Sequence, residues 1–428
     1  MLIILEIVGK PEYCINFRFI FTFCIIRVIY EIMKKDDIIE LEIESVAFEG
    51  KGVAKVNNFV VFVPFVMENE RVRVKIIKVK SNYAEAMPLE MLTSSPLRIE
   101  PECPYYTSCG SCVYQHIPYK EQLKLKSRQI KELYKQFNGI QPEFPILETC
   151  PSPKPFNYRT KIRLKYKKIK KFFKFGYFDY YNNDLIDIEQ CPIASLKLNE
   201  YLTSVRENNF EFFRKQRIKA FNLAFLETNS GVISNLDKSV DTETKILGKT
   251  FIYNRDSFFQ INHSIFPSLF DRLTAMLKAE NIKFSSLLDL YCGVGFFGVI
   301  FSDIFQKIQF IESNKISYKY LLKNIEINQI RDKSQAIYGD ADSAIKQITC
   351  SPEVILMDPP RSGATQMLIQ DIIKLTPEII IYISCNPATQ FRDTKLFEAS
   401  GYKITALQPF DFFPQTKHIE TVAILKKT

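Results

Sequence analysis

Two hydrophobic patterns divide the chain, and the first lies near its start. Within residues 38–92, apolar and polar side chains alternate at Ile39–Glu44 and again at Arg71–Ile76, and Phe59–Phe65 is a short apolar run. A period of two is typical of half-buried strands, and Gly50 is placed to turn the chain between two of them. The pattern predicts a small β-barrel of the size of an OB-type fold.

The second pattern starts after Phe251, where apolar strands alternate with helical stretches. Strands that each precede a helix are predicted at Ser286–Leu290, Ile308–Ile311, Ala336–Tyr338, Val354–Met357 and Ile379–Ile383. This alternation predicts a doubly wound parallel sheet in an α/β domain. Lys403–Leu407 and Ile419–Leu425 follow with no helix between them, so we expect a tight, Phe-rich hairpin turn and an antiparallel final strand.

A separate apolar segment, Tyr13–Tyr30, precedes both patterns. Arg18 and Arg27 interrupt it, no small-residue cleavage site follows, and about 20 apolar residues are needed to cross a bilayer. We therefore expect residues 1–33 to be a non-native N-terminal extension, with Met33 as the true initiator. Membrane attachment is the alternative.

The composition is that of a soluble globular protein. The chain has 428 residues, of which 46% are hydrophobic and 25% are charged, and its net charge is +9. This length predicts roughly two to four domains. The ten cysteines lack the regular even spacing of a secreted disulfide framework, so a reducing cytosol fits better. We expect a cytoplasmic monomer.

Three closely spaced cysteines suggest a metal centre. Cys103, Cys109 and Cys112 share one loop, Gly110 lets that loop fold back, and Cys191 lies far downstream. Three thiolates with a distant fourth can surround one metal centre. The spacing matches neither the standard zinc-finger pattern nor the ferredoxin run, so zinc and an iron–sulfur cluster both stay open.

A strongly basic segment follows the cysteine loop. Positive side chains occupy every second position at Arg159, Lys161, Arg163, Lys165 and Lys167. On a strand, this spacing places the charges on one face and the intervening apolar side chains on the other. Like charges on one face repel each other unless a polyanion neutralises them, so RNA contact is the favoured interpretation and a solvated face is the alternative. We expect the aromatic residues that follow to be divided between core packing and base stacking.

A thiol stands at the end of the last parallel strand. Ile379–Ile383 leads into Ser384-Cys385-Asn386-Pro387, where the proline forces the chain to turn. Folds of this class place their chemistry at the carboxyl edge of the sheet, so Cys385 is a candidate nucleophile. A small core residue is the alternative.

A glycine-rich loop, Asp289–Gly298, follows the first parallel strand. Nicotinamide and flavin sites use similar loops, and the acidic Glu312 at the end of the next strand is also compatible with a nicotinamide site. The segment Asp358–Gly363, with the sequence Asp-Pro-Pro-Arg-Ser-Gly, favours S-adenosylmethionine, because it resembles the substrate-side loop of class I methyltransferases.

Together these motifs resemble those of the RNA uracil-C5 methyltransferases, which form 5-methyluridine. The resemblance extends from Asp36 to the end of the chain, and the barrel resembles a TRAM domain at Phe48–Ala54 and Val63-Pro64. The motifs of the C-terminal part are Phe258–Asn262, Asp289–Gly298, Asp358–Gly363, Ser384–Pro387 and Thr416–Glu420. With the cysteine quartet, the chain is most similar to the branch that methylates 23S ribosomal RNA.

This resemblance implies roles for individual residues. Contacts with S-adenosylmethionine are implied for Gln260, Tyr291, Glu312 and Asp358. Cys385 is implied as the nucleophile, and Glu420 as the base that removes the carbon 5 proton. A [4Fe-4S] cluster is implied at Cys103, Cys109, Cys112 and Cys191. Phe296 stands where some members carry Asn, so we expect no cofactor contact from it.

We expect three domains after the extension. These are a TRAM-like barrel at 34–94, a central β-rich domain with the cysteine cluster at 95–245, and a class I (Rossmann-like) methyltransferase domain at 246–428. An amphipathic helix predicted at 119–137 belongs to the central domain and can pack on the catalytic one.

The expected function is methyl transfer to carbon 5 of a uridine in 23S ribosomal RNA, through covalent addition of Cys385 to carbon 6. Transfer RNA or dual specificity is the alternative within this class. A non-enzymatic iron–sulfur RNA-binding protein is the alternative from another class, but it has no reason to keep Cys385, Asp358 and Glu420 together. DNA cytosine methyltransferases carry Pro-Cys after the fourth strand, where this chain has Asp-Pro-Pro-Arg, so RNA and not DNA is the expected partner.

Overall fold

The computed structural model describes residues 33–139, 141–169, 172–208, 220–236, 240–280, 285–348 and 351–428. Apart from Met33, the predicted N-terminal extension lies outside these residues. The chain divides into two compact units, Met1–Arg98 and Ile99–Thr428. In the described part of the chain, no helix has both the length and the apolar character needed to cross a bilayer.

The first unit is a β-domain, as the alternating pattern predicts. Its strands are β1 (Ile38–Glu42), β2 (Ser45–Val46), β3 (Lys51–Val56), β4 (Phe59–Pro64), β5 (Arg71–Val79) and β6 (Tyr83–Thr93). Over residues 33–98, all of which are described, they form a six-stranded sheet in the order β1-β5-β6-β4-β3-β2. A Cβ atom on Gly52 would lie 2.3 Å from Cγ2 of Val66, so close packing of the core requires glycine there.

The second unit begins with a helix and an antiparallel sheet. Helix α1 (Tyr119–Asn138) comes before the sheet, and α2 (Leu196–Asn208) lies between its third and fourth strands in the sequence. A hairpin of β12 (Thr242–Ile246) and β13 (Lys249–Tyr253) follows the sheet. The sheet strands are β7 (Lys161–Ile169), β8 (Phe172–Phe178), β9 (Leu185–Asp187), β10 (Ala220–Thr228) and β11 (Gly231–Ser234). They pair in the order β11-β10-β7-β8-β9.

The C-terminal part of this unit is a sheet flanked by helices. Its strands are β14 (Ser286–Leu290), β15 (Lys307–Glu312), β16 (Ser334–Tyr338), β17 (Val354–Met357), β18 (Ile379–Ser384), β19 (Tyr402–Phe410) and β20 (Glu420–Lys427). Its α-helices are α3 (Phe266–Ala279), α4 (Phe296–Ile300), α5 (Lys315–Ile327), α6 (Ala341–Ala344), α7 (Gln366–Leu375) and α8 (Pro387–Glu398). Short 3-10 turns occupy His263–Ile265, Phe301–Asp303, Arg331–Lys333 and Ile345–Gln347.

The strand order confirms the predicted α/β fold. The strands run β16-β15-β14-β17-β18-β20-β19, with β14 to β18 parallel and β20 antiparallel to both of its neighbours. Every residue of β17 and β18 is buried, which explains the apolar runs at Val354–Met357 and Ile379–Ile383. The reversal of chain order beside β14 opens a crevice at the carboxyl ends of the strands, where such folds bind ligands.

The tight hairpin predicted before the last strand is wrong. Residues 411–419 form a long loop between β19 and β20, because several of its side chains are buried against distant parts of the chain. Asp411 and Thr416 are fully buried, and Gln415 is 2% exposed. A hairpin turn exposed to solvent would leave these polar groups in water.

The basic strand is shorter than predicted. Strand β7 begins at Lys161, and Arg159 precedes it in a segment whose backbone bridges Ala194 on one side and Asn262 on the other. The single charged face predicted over Arg159 to Lys167 is therefore wrong at its start. Ile162, Leu164 and Tyr166 are buried as expected.

Helix α1 confirms the predicted amphipathic segment, and its buried face packs on α8 and on the loop at residues 411–419. Tyr134 meets Phe391 of α8 edge-on, with ring centroids 5.3 Å apart. Gly139 ends the helix at φ 72° and donates its N–H to the carbonyl of Lys135. The predicted domain boundaries at 34–94, 95–245 and 246–428 stay a prediction.

Candidate active site

The antiparallel pairing of β18 with β20 brings Cys385 and Glu420 together. Ser384, the last residue of β18, pairs with Thr421, so Cys385 follows the strand directly beside Glu420, the first residue of β20. Burial raises the pKa of the Cys385 thiol, and the nearby carboxylate of Glu420 adds to that rise. The chain thus presents a thiol and a carboxyl group at one edge of the sheet.

Local hydrogen bonds fix the turn at Cys385. Asn386 N–H donates to Ser384 Oγ at 3.1 Å, and Ser384 Oγ donates to the Asn386 carbonyl at 3.0 Å. Asn386 Nδ2 also donates to the Arg361 carbonyl at 3.0 Å, which ties this turn to the Asp-Pro-Pro-Arg loop. Pro387 is the first residue of α8, a position that its fixed φ favours.

Gln390 of α8 locks the two strands beneath this turn. Its Nε2 donates to the Tyr382 carbonyl at 2.7 Å, and its Oε1 accepts from Thr421 Oγ1 at 2.7 Å. Gln390 is fully buried. Because it contacts both strands, it fixes the spacing between the residues that precede Cys385 and follow Glu420.

The residues singled out from the sequence line one cleft of about 670 Å³. These residues are Gln260, Tyr291, Glu312, Asp358, Cys385 and Glu420. The basic residues Arg159, Lys161 and Arg163 and the exposed Phe258 line the same cleft. A cavity of this size holds a ligand as large as S-adenosylmethionine.

The loop after β14 is shaped for close approach of a ligand. Tyr291 adopts φ 59° and Gly293 adopts the same φ, which is a strained conformation for a tyrosine. A Cβ atom on Gly295, which has φ 85°, would lie 2.6 Å from Cδ1 of Leu321. Gly298 N–H donates to Asp289 Oδ2 at 2.9 Å, so the buried acid ties the loop to its strand.

Glu312 occupies the position expected for a ribose-binding carboxylate. Its Oε2 accepts from the Gly293 N–H at 2.8 Å, and its Oε1 accepts from the Asn314 N–H at 2.5 Å. Each carboxylate oxygen keeps a further lone pair that can accept a hydroxyl group. These residues fit S-adenosylmethionine, whose ribose needs acceptors and whose sulfonium and ammonium groups need negative charge.

Several acidic groups in and below the cleft are buried. Burial raises the pKa of Asp358 to about 7, and burial with the nearby Asp358 raises the pKa of Glu420 well above its usual range. Burial also raises the pKa of Asp289 to about 8. The pKa of the Cys385 thiol rises to about 11, first by burial and then by the charges of Glu420 and Asp358. A cationic ligand in this cleft would reverse these shifts.

Arg361 and His418 form a second polar contact at the cleft. Arg361 Nη2 lies 3.1 Å from His418 Nδ1. Burial, with the Arg361 charge second, lowers the pKa of His418 to about 4, so this imidazole is neutral at pH 7. The Arg361 charge also opposes the rise in the pKa values of Cys385 and Glu420.

Phe296 belongs to the core. It is 5% exposed and lies within an aromatic cluster that includes Phe251, Phe259, Phe266 and Phe270. Where some family members carry the polar Asn, this chain therefore has a phenylalanine that packs in the core.

The four clustered cysteines line one small pocket. Cys103, Cys109, Cys112 and Cys191 share its wall with Tyr105, Tyr106, Gln115 and Tyr177. Burial raises the pKa of Cys103 to about 11 and that of Cys112 to about 12. Metal binding to these thiols would therefore release protons. The donor set fits a thiolate-bound metal centre.

A single zinc ion and a four-iron cluster differ in the spacing of their sulfur ligands. Tetrahedral zinc holds each sulfur at about 2.3 Å, which requires sulfurs about 3.8 Å apart. Across the residues that the structure describes, no three His, Cys, Asp or Glu side chains are close enough to hold one ion. A four-iron cluster separates its cysteine sulfurs more widely than one ion does.

The basic residues divide between the cleft and the surface. Lys161 is half-buried and its Nζ hydrogen bonds to the carbonyls of Arg255 and Ser257. Arg163 and Lys165 are exposed, and the Lys165 ammonium lies 5.9 Å from the ring centroid of Phe178. Further along the strand, Lys167 pairs with Asp184 at 3.6 Å. Hydrogen bonds and partner charges thus reduce part of the repulsion that the sequence pattern suggests.

Sequence reasoning missed two positions that hold the site. Lys126 is fully buried in α1 and contacts the loop before Glu420, although a lysine on a charged helix suggests solvent exposure. Its spacing of four residues from Gln122, on the same helix face, is the signal that could have placed it inside. Gln390 lies one turn into α8 and is also fully buried, but nothing in the sequence around it indicates this burial.

Comparisons with known proteins match this chain over most of its length. A model described as tRNA (Uracil-5-)-methyltransferase matches residues 233–428, and one described as TRAM domain matches residues 36–89. A protein from Aquifex aeolicus (strain VF5), described as an uncharacterized RNA methyltransferase, is 30% identical over 434 residues, which cover 92% of this chain and 99% of the relative. A relative from Clostridium tetani (strain Massachusetts / E88) has the same description and is 29% identical over 453 residues. That match covers 92% of this chain and 97% of the relative.

A solved structure shares the fold over nearly the whole chain. It is the tRNA (uracil-54, C5)-methyltransferase of Pyrococcus abyssi in complex with S-adenosyl-L-homocysteine. The two superpose with a TM-score of 0.71 at 22% identity, over 90% of this chain and 100% of that one. The chain belongs to the RNA uracil-C5 methyltransferase family: it combines a TRAM domain with a class I domain that transfers a methyl group from S-adenosylmethionine to carbon 5 of uridine in RNA.

Proposed function

We propose that this protein methylates a uridine of 23S ribosomal RNA, with Cys385 as the nucleophile and Glu420 as the base. The observation that carries the assignment of roles is the pairing of Ser384 with Thr421, which brings the thiol and the carboxyl group together in a cleft. That cleft also contains Tyr291 and Glu312 from the glycine-rich loop and the next strand.

The chemistry requires a thiol because carbon 5 of uracil is a weak nucleophile. The Cys385 thiolate adds to carbon 6, and the electrons of the carbon 5–carbon 6 double bond move toward the carbon 4 carbonyl, giving an enolate. S-adenosylmethionine held in the cleft would supply the methyl group to carbon 5, and its sulfur–methyl bond would break to leave S-adenosylhomocysteine. Glu420 then removes the carbon 5 proton, the double bond re-forms, and the sulfur–carbon 6 bond breaks to regenerate the Cys385 thiolate.

The electrostatics of the cleft suit this order of events. Without ligand, burial raises the pKa values of both Cys385 and Glu420, so it favours their protonated forms. Positive charge in the cleft lowers both pKa values, so it favours the thiolate that adds and the carboxylate that removes the proton. Gln260, Tyr291, Glu312 and Asp358 are the residues that would hold S-adenosylmethionine.

The cysteine pocket is proposed to hold a [4Fe-4S] cluster with a structural or RNA-positioning role. Its four thiols, Cys103, Cys109, Cys112 and Cys191, complete the coordination that such a cluster needs and leave no iron open to substrate. The support is that all four thiols line one pocket.

RNA contact is proposed for the basic residues at the cleft and on β7. Arg159 and Lys161 line the cleft itself, whereas Arg163 lines it and also extends onto the exposed face with Lys165. Phosphate groups of the RNA would neutralise these charges as the target base enters the cleft.

Ribosomal RNA is favoured by the cysteine quartet and the TRAM domain together, through the resemblance to the 23S branch. A specific observation favours transfer RNA as the second candidate. The P. abyssi enzyme is named for uracil 54 of tRNA, and its match covers 100% of that enzyme and 90% of this chain. Dual specificity would satisfy both observations.

Mapping of 5-methyluridine decides between these substrates. Ribosomal and transfer RNA are isolated from cells with and without this gene, and each 5-methyluridine position is located by mass spectrometry of nuclease fragments. The proposal predicts that one 23S position loses its methyl group and that transfer RNA is unchanged. Loss confined to transfer RNA would overturn the choice of substrate but not the roles of Cys385 and Glu420.

A further inference from the structure

The loop at residues 411–419, which leads into Glu420, is held by distant parts of the chain. Gln122 Nε2 donates to Gln415 Oε1 at 2.9 Å, and the Val113 and Tyr114 N–H groups donate to the Gln415 carbonyl. Tyr158 Oη donates to the Pro414 carbonyl at 3.1 Å. The cysteine loop and α1 therefore surround the segment that positions the proposed base.

Lys126 of α1 makes the central contact with this loop. Its ammonium lies 2.7 Å from Asp411 Oδ1, and it donates to the His418 carbonyl at 3.0 Å and to the Phe413 carbonyl at 3.4 Å. Lys126 and Asp411 are both fully buried. An ammonium group has three N–H donors, so these three acceptors satisfy it.

This contact spans the loop from one end to the other. Asp411 directly follows β19, and His418 lies two residues before Glu420. Beside the carbonyl that Lys126 binds, the His418 side chain contacts Arg361 at 3.1 Å. The backbone that enters Glu420 is thus fixed from the α1 side and from the Asp-Pro-Pro-Arg side.

Stability alone does not explain such a pair. Moving two charges out of water is costly, and a buried ion pair can often be replaced by apolar residues without loss of stability. What apolar residues do not supply is a donor to the His418 carbonyl. The geometry of this contact therefore points to placement of the loop.

We propose that Lys126 is a positioning residue for Glu420, and this inference rests on the function of Glu420 proposed above. By holding the His418 carbonyl, Lys126 fixes the carboxyl group where it reaches the carbon 5 proton. Addition of Cys385 and methyl transfer precede that step, so they do not depend on Lys126. Without the lysine, only release of the methylated RNA from Cys385 becomes slower.

The test follows the covalent protein–RNA complex. Lys126→Met/Asp411→Asn removes both charges together, which avoids leaving one charge buried and unpaired. The wild type, this double variant and Glu420→Gln are each incubated with S-adenosylmethionine and total RNA from cells lacking the gene. Denaturing electrophoresis measures the trapped complex, and single-turnover kinetics measure its formation.

We expect the double variant to accumulate the methylated complex. A misplacement of about 1 Å can cost about 100-fold in rate, so we expect turnover to fall about 10- to 100-fold while complex formation stays near wild type. Asp411→Asn alone leaves Lys126 without its partner charge, and burial lowers the pKa of this lysine, so the side chain can lose its proton. The neutral amine still donates to the His418 carbonyl, so this variant should release its product and accumulate little complex. Lys126→Met/Asp411→Leu serves as the second variant if the first does not fold.

A matched control lies at the other end of the same strand. Lys426 in β20 pairs with Glu280 at 3.1 Å, so Lys426→Met/Glu280→Gln removes an ion pair from β20 far from Glu420. It should accumulate no complex. Equal losses of complex formation and turnover in the Lys126 variants, or no change in either, would overturn the inference. Failure of Glu420→Gln to accumulate the complex would instead overturn the proposed base, and this inference with it.

Discussion

Ser384 and Thr421 are partners on the rung of the β18–β20 ladder that lies nearest the cleft, and Thr421 Oγ1 also contacts the Ser384 carbonyl at 3.4 Å. Because the strands are antiparallel, one residue after Ser384 and one residue before Thr421 are neighbours. Those residues are Cys385 and Glu420, which stand far apart in the sequence of the C-terminal domain. The final antiparallel strand therefore places a carboxyl group beside the thiol.

The nucleophile is tested by Cys385→Ala. Without the sulfur, carbon 6 is not attacked and carbon 5 stays unreactive, so we expect neither methyl transfer nor a covalent complex. The measurement is transfer of labelled methyl groups to RNA, with gel analysis of the complex. Cys150→Ala is the matched control, since Cys150 is a buried core thiol outside the cleft. Residual turnover in Cys385→Ala would contradict the assigned role.

Binding of S-adenosylmethionine should depend on pH. Burial raises the pKa of Asp358 to about 7 in the free protein, and a cationic ligand favours its carboxylate. Binding should therefore release protons, and affinity should rise from about pH 6 to about pH 8, by at most roughly tenfold per pH unit for each proton released.

Calorimetry in buffers of different ionisation enthalpy measures this proton release. Asp358→Asn should bind more weakly and with a flatter pH profile, whereas Glu420→Gln should keep the part of the profile that belongs to Asp358. An affinity for S-adenosylmethionine that stays the same from about pH 6 to about pH 8 would argue against the predicted contact with the Asp358 carboxylate.

The cysteine pocket should contain iron. Protein purified without oxygen should be brown, with broad charge-transfer absorbance and bound iron and sulfide. Cys109→Ser should lose this absorbance, while Cys150→Ala should keep it, because Cys150 does not line the pocket. Stoichiometric zinc without iron would refute the [4Fe-4S] assignment.

The exposed basic face of β7 should account for part of the salt dependence of RNA binding. Replacing Arg163, Lys165 and Lys167 by Gln should weaken binding and reduce the slope of log K against log salt by about 0.7 to 0.9 for each RNA phosphate that is no longer neutralised. Filter binding at several salt concentrations measures this slope. Lys374→Gln, on the exposed surface of α7, is the control. An unchanged slope in the triple variant would show a merely solvated face.

Much of the fold follows from local patterns in the sequence. The runs at Val354–Met357 and Ile379–Ile383 are apolar because both faces of the strands are buried, so they can be recognised without any structure. The last strand could be recognised as antiparallel because no helix precedes it. The motifs at Cys385 and Glu420 were likewise visible, since each adjoins a strong strand signal.

Tertiary contacts decide the features that the sequence did not show. The loop at residues 411–419 looks like a surface turn until Gln122 and Lys126 supply partners for its buried polar groups. Arg159 fits the alternation of a strand, yet its neighbours are backbone segments around Ala194 and Asn262. Such partners lie far away in the sequence, so local periodicity carries no information about them.

The most direct test of the account is the mass of the complex formed by Glu420→Gln. The variant can add Cys385 to carbon 6 and take the methyl group, but its amide does not accept the carbon 5 proton, so the sulfur–carbon bond persists. After denaturation and nuclease digestion, mass spectrometry should find Cys385 joined to a uridine that carries one added methyl group. Normal turnover by this variant, or a link through any other residue, would contradict the proposed roles of Cys385 and Glu420.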